Sequence, residues 1–239
     1  MPFTLAHPAA ALPIWYASRR RLRLAALIIG STTPDYEYFL RLDTVGRFAH
    51  TLLGLFLVCL PVGWLSLCLF DRFGRRGAQR LLPSSWRLPD RPTGPYRPIA
   101  TSCALLLGAA SHVVWDAFTH AQGLAVRVLP GLADRVAIGP LTVPWFKVLQ
   151  HGSTILGVGV LAFIGWQWVR RQPAVSGREL WRRALVPAAV LATAGILNGA
   201  RFLSGGVQPF VVAGGVAVSL ASGVGLVLLG LARSNRPSA

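Results

Sequence analysis

The stretch GAASHVVWDAFTH, residues 108–120, places His112, Asp116 and His120 four residues apart inside an otherwise apolar segment. A step of four residues on an α-helix turns ~400°, so these side chains stack along one face over two turns. Imidazole nitrogen and carboxylate oxygen are donors for zinc, manganese or iron. A polar stripe on an apolar helix carries a burial cost, which a metal site, a proton path or a satisfied polar network can offset.

The rest of the chemistry is scattered. His7, His50 and His151 complete the five histidines, and Asp35 and Glu37 fall in PDYEYF. Taken singly, each has an ordinary reading. A lone His at a helix end caps or sits in the interface, and Asp35 after Pro34 forms a turn or an N-cap. His112 and Asp116 make one buried hydrogen bond, and His120 is a loop residue. These readings weaken together if the chain spans a membrane with all of these residues at one side.

Composition supports that setting. Of 239 residues, 53% are hydrophobic and only 13% charged, which excludes a disordered or collagen-like chain and points to a membrane protein. The net charge of +16 comes from 23 Arg and one Lys against eight acids. Such an excess could indicate nucleic acid. The Arg residues, however, cluster in short blocks between apolar runs, as in cytoplasmic loops, and no nucleic-acid partner is expected. Cys59, Cys68 and Cys103 lie inside apolar runs with no CxxC spacing, so they are read as small buried residues. The start MPFTLAHPAA lacks the basic region and long apolar core of a cleaved signal peptide, so insertion depends on the spans themselves.

The expected fold is an all-α polytopic membrane bundle of about four long spanning helices plus a short N-terminal helical hairpin. Residues 51–70, 99–118 and 153–169 are candidate spans of the ~20 residues a bilayer requires. Residues 183–203 and 211–231 form a C-terminal helical hairpin, the second Gly- and Ala-rich and suited to close packing. This divides the chain into a metal-site domain, 1–170, and a two-helix hairpin domain, 171–239. Two shorter arms, 8–18 and 24–34, flank RRRLR at 19–23. Each is ~16 Å if helical, too short to cross ~30 Å of hydrocarbon. They are read as a hairpin packed against the bundle, with a surface-lying amphipathic hairpin as the alternative.

Orientation follows from charge. Loop 71–98 carries seven Arg and segment 170–183 five, so both are expected to be cytoplasmic, as is the tail with Arg233 and Arg236. Segment 119–152 has only Arg127, Arg135 and Lys147 and is expected outside. Every His, with Asp35 and Asp116, then arrives at the extracytoplasmic side, while the twelve inward Arg bring no His with them. On this convergence the stripe is read as a ligand helix.

Five motifs in order, MPFTLAHPAA, IGSTTPDYEYF, AHTLLGLFLVCLPVG, GAASHVVWDAFTH and LQHGSTILG, resemble an uncharacterised bacterial membrane family defined only as a domain of unknown function. The resemblance covers nearly the whole chain. More distantly, the order His, PD-x-[DE], His, H-x-x-x-D, His resembles membrane-bound metal-dependent hydrolases and, behind them, zinc-dependent phospholipase C and related single-strand nucleases. That resemblance implies metal ligation by His7, Asp35, His50, His112, Asp116 and His151, with His120 added from the stripe. It also implies that Asp35 bridges a metal and the attacking water or acts as base, with Glu37 supporting it. Two departures matter. The phospholipases begin at a Trp whose amino group binds zinc, whereas this chain begins Met-Pro. Ile155 stands where a His-x-x-x-Glu partner of His151 would be. One or two ions, zinc first and manganese or iron otherwise, are therefore expected rather than three.

The implied activity is hydrolysis of a phosphoester on a membrane lipid or lipid-linked substrate at the outer face of the bacterial cytoplasmic membrane. Two metals could polarise a phosphoryl oxygen and activate water. Arg127, Arg135 and Lys147, in the Gly- and Pro-rich segment 121–150 that could cover the site, are candidates to meet phosphate. Trp115, Phe118, Trp145 and Phe146 could hold an acyl chain, though the interface belt is their default reading. A different class of reading is a non-catalytic membrane protein with a structural metal or a buried His/Asp network, which closed coordination would mark. A haem-binding bundle would need His pairs facing across spans, and a transporter would show a duplicated half. An adaptor could use the Arg-rich loops, which are more simply topology signals. Nothing in the sequence specifies an oligomeric state.

Overall fold

The computed structural model describes residues 4–37, 48–88, 97–139 and 141–178. The expected helices at 183–203 and 211–231, the tail, and the C-terminal domain beyond residue 178 lie outside the described residues. What is described is mostly helical and falls into two compact units, residues 4–37, 48–64, 97–139 and 141–167 in one and residues 65–88 and 168–178 in the other.

In the first unit, α1 (Pro8–Ala17) starts on a proline, whose missing N–H costs nothing at a helix start. It ends in a tight turn in which Arg19 and Arg20 take left-handed φ values of 53° and 62°. The Arg20 N–H donates to the Trp15 carbonyl at 2.9 Å, and its guanidinium lies 5.0 Å from the Trp15 ring centre. These contacts offset the steric cost of two non-glycine residues in that region.

Helix α2 (Leu24–Gly30) leads into a 3₁₀ turn, Thr33–Asp35. Helix α2 meets α4 (Pro98–Thr119) backbone to backbone. A Cβ built on Gly30 would fall 2.1 Å from the Leu105 carbonyl oxygen, and one on Gly108 would fall 2.2 Å from that of Leu27. Only glycine permits this approach, the small-residue packing common between membrane helices.

Helix α3 runs Leu52–Leu81. Thr51 caps it by accepting the Gly54 N–H at 3.0 Å. Its first turns widen into a π-helical segment, Leu55–Cys59, just before Pro61, which has no N–H to continue the ladder. Ala49, Leu55, Cys59 and Ala109 form the apolar core where α3 meets α4. The Trp64 indole, donating to Ser102 Oγ at 3.0 Å, pins the two further along.

After α4 come α5 (Leu124–Val128) and an antiparallel hairpin, β1 (Arg135–Ile138) and β2 (Leu141–Pro144), paired Arg135 to Pro144 through Ile138 to Leu141. Segment 121–150, the Gly- and Pro-rich stretch of a chain expected to be all-α, thus holds a short hairpin, turned at Gly139 with φ 59°. Helix α6 (Trp145–Val169) follows directly. Leu52–Leu81, Pro98–Val128 (α4, a turn and α5) and Trp145–Val169 are each long and apolar enough to cross a membrane.

In the second unit, Trp86 organises the Arg-rich loop. Its indole donates to the Pro173 carbonyl at 2.9 Å, its ring packs edge-on against Trp168, and Gln79 binds both the Trp86 carbonyl and the Leu88 N–H.

Candidate metal centre

The buried face of α4 reads Thr101, Ala104, Leu105, Gly108, Ala109, His112, Asp116 and Thr119. Small apolar residues let α2 approach its first half, and the polar stripe occupies the second. His112 is fully buried. Its Nδ1 lies 2.7 Å from the Ser31 carbonyl oxygen, and since a carbonyl can only accept, Nδ1 carries the proton. The Nε2 lone pair is thereby aimed into the cluster, the arrangement that orients ligating histidines. The Gly30–Gly108 contact is what brings Ser31 within reach.

Three further segments converge there. His7 comes from the turn before α1, and its ring stacks on His112 at 3.7 Å between centres. Asp35 comes from the 3₁₀ turn after α2, where Thr4 donates to its Oδ2 at 2.6 Å. His50 comes from the turn before α3. Glu37, buried, accepts the Ala49 N–H at 2.8 Å and so fixes the backbone beside His50.

Donor spacing decides between hydrogen bonding and ligation. His112 Nε2 lies 3.4 Å from Asp35 Oδ1 and 3.3 Å from Asp116 Oδ2. His50 Nε2 lies 3.7 Å from Asp35 Oδ1 and 3.6 Å from Asp116 Oδ2. Charge-assisted N–H···O bonds contract to ~2.7–2.9 Å. Two donors on one zinc, at ~2.0–2.2 Å and a tetrahedral angle, stand ~3.3–3.6 Å apart. The observed spacings match a coordination edge. Among the described residues, His112 Nε2, Asp35 Oδ1, Asp116 Oδ1 and His7 Nε2 are buried with no hydrogen-bond partner, which is costly unless something else satisfies them.

Among the described residues, two overlapping groups of donors fit an ion, Asp35, His50 and His112, and His7, His112 and Asp116, each with its donor atoms within 4.8 Å of one another. Because His112 offers one lone pair, it can serve only one ion. Asp116 can serve both sides, with Oδ2 toward His50 and His112 and Oδ1 at 3.7 Å from His7 Nε2. His120 Nδ1 lies 3.1 Å from the Asp116 carbonyl oxygen and so carries its proton, leaving Nε2 as the nitrogen that could meet an ion at the half-open rim.

The protonation states outside the spans suit ligation, which needs neutral imidazole and ionised carboxylate. Burial, with the neighbouring His112 ring, pushes the His7 imidazole down to about 3. Burial alone would raise the Asp35 carboxyl, but a protonated His112 and the Thr4 hydroxyl outweigh it and hold it below the usual range; an ion in the cluster would take the place of the proton on His112 Nε2.

Not all expected residues join. His151 is exposed on α6 and belongs to neither group; one position earlier, Gln150 is buried and faces inward. A single residue turns ~100° on a helix, enough to separate the two. Arg127 donates to Gln122, Arg135 to the Thr142 carbonyl and Lys147 to Gln150, all local contacts on their own segment. The sequence reading missed Thr4 and Ser31. Thr4 has no distinguishing spacing, and Ser31 acts through its backbone carbonyl, which no residue type announces.

No curated protein and no solved structure matches the chain. One family model does, described as a domain of unknown function (DUF4184), and it covers residues 1–233. With nearly its whole length matched, the chain belongs to the DUF4184 family.

Proposed function

We propose that this chain is an integral membrane, metal-dependent hydrolase acting on a phosphoester of a lipid or lipid-linked substrate at the extracytoplasmic face. The observation that carries the metal is the spacing of His50, His112, Asp35 and Asp116 donors at 3.3–3.7 Å, from three separate segments. The hydrolase assignment draws on the order of the motifs. His50, His112, Asp35 and Asp116 would hold a first ion, zinc by its donor set. His7 and Asp116 Oδ1, with His120 at the rim, would hold a second, less completely ligated one. A divalent ion there would polarise a phosphoryl oxygen and activate water.

The chain's own residues do the rest. Thr4 and Ser31 orient Asp35 and His112, and Glu37 is a positioning residue for His50. Asp35 is the candidate base, and His120, 29% exposed at its side chain, can exchange a proton with solvent. The fold that goes with this reading is the bundle of about four long spans with a packed N-terminal hairpin and a cytoplasmic C-terminus.

A second reading has its own observation. Four protein donors on one ion, His50, His112, Asp35 and Asp116, would make a closed site, which is the mark of a structural metal. Metal analysis of detergent-purified protein, followed by a phosphoester screen, separates the two. One or two equivalents of metal with hydrolysis that chelation abolishes supports the enzyme. A single tightly held equivalent without turnover leaves the structural metal, and no metal after reconstitution leaves a buried polar network.

A further inference from the structure

A cavity of about 490 Å³ lies between α1 and α6. Ala9, Ala10 and Pro13 form one wall and Leu156, Val160 and Ile164 the other, and His7 lines it where it meets the metal cluster. Its volume is that of a small-ligand site, ~300–1,000 Å³, and its lining is almost wholly apolar. Trp115 and Ser153, two of its polar members, satisfy each other at 3.0 Å. Helix α1 starts beside His7 and its ten residues run ~15 Å, about half the ~30 Å of bilayer hydrocarbon.

We propose that this cavity holds one acyl chain of a membrane glycerophospholipid whose phosphoester lies at His7. The headgroup part rests on the hydrolase reading above; the chain site does not. Three features select the occupant. Helices α4 and α6, which supply Trp115 and the far wall, are long and apolar enough to span, so hydrocarbon chains are the surrounding medium. The polar group that joins the cavity to the cluster is His7, so a ligand must be apolar along its length and polar at one end. Ala9 and Ala10 face Leu156, Val160 and Ile164 across the cavity, aliphatic on both sides, with no charged group among the described residues for a second polar end.

The test uses the full-length protein in nanodiscs with a phosphatidate carrying a diazirine midway along one chain. After irradiation, peptide mapping is expected to find label concentrated on Leu156 and Val160, and Ala10→Trp, which fills the cavity, should reduce it several-fold. Metal content of Ala10→Trp should equal that of the wild type, showing an intact cluster. Leu156 and Val160 are themselves exposed, as are Ile155 and Phe163, which lie on the same helix outside the cavity; label spread equally over all four, unchanged by Ala10→Trp, overturns the site. So do crosslinks joining the α6 wall to residues 183–231 in place of lipid. Displacement by a polyprenyl phosphate but not by unlabelled phosphatidate overturns the acyl assignment. Cavity labelling in a wild-type protein without metal would keep the chain site and sink the hydrolase reading alone.

Discussion

His112 works through both ring nitrogens, one held by the Ser31 carbonyl and the other facing two carboxylates. His112→Ala and Asp116→Ala should therefore each lose metal stoichiometrically by mass spectrometry, whereas His151→Ala, on an exposed position, should retain it. Full metal in both cluster mutants would refute the assignment. Thr4 acts one step back. Hydrogen bonds to charged groups contribute ~1.5–3 kcal/mol, and loss of a partner that orients a ligand typically weakens metal binding ~10–100-fold. Thr4→Val should shift chelator-competition titrations by that factor without removing a donor. An unchanged affinity would show that Asp35 is held by other contacts.

At the scale of elements, the cluster depends on how closely α2 and α4 pack. A Cβ on Gly108 meets backbone, not a flexible side-chain end. Gly108→Ala should cost at least the ~1–3 kcal/mol of overpacking and move Ser31 away from His112, lowering the melting temperature and metal content with every ligand still present. Gly152 lies inside α6 and, among the described residues, has nothing within 4 Å of its would-be Cβ. There the same substitution should stabilise by ~0.5–1 kcal/mol through helix propensity. Thermal unfolding in detergent compares the two; equal effects would mean that the close contact is not maintained. The periodicity of α4 made its polar face legible because a helix sets side-chain direction locally. The π-turn in α3 was not, although Pro61 signals that the hydrogen-bond ladder must adjust nearby.

For the whole molecule, the cluster ties together segments around residues 7, 35, 50 and 112–120, so a ligand bound only by the folded state stabilises all of them at once. At a free concentration 100 times Kd the gain is ~2.7 kcal/mol, and a chelator should lower the melting temperature accordingly; an unchanged melting temperature would mean that no ion contributes. The side of the membrane is a separate question. A cysteine at Arg75 should react only from the cytoplasm and one at Asp134 only from outside. Reversed labelling would move the site to the cytoplasmic face and remove the basis for an extracytoplasmic substrate.

By itself, the sequence determined the helices long and apolar enough to span and the shared face of His112 and Asp116, because helix pitch and bilayer thickness act on contiguous residues. It also singled out His7, Asp35 and His50 as residues of ligand chemistry, though not their distances. Tertiary structure decided what depends on contacts between distant segments. It put Gln150 rather than His151 on the inward side of α6, and made His112 common to two groups of donors. It also fixed the His112 tautomer through a backbone carbonyl brought into range by two glycines.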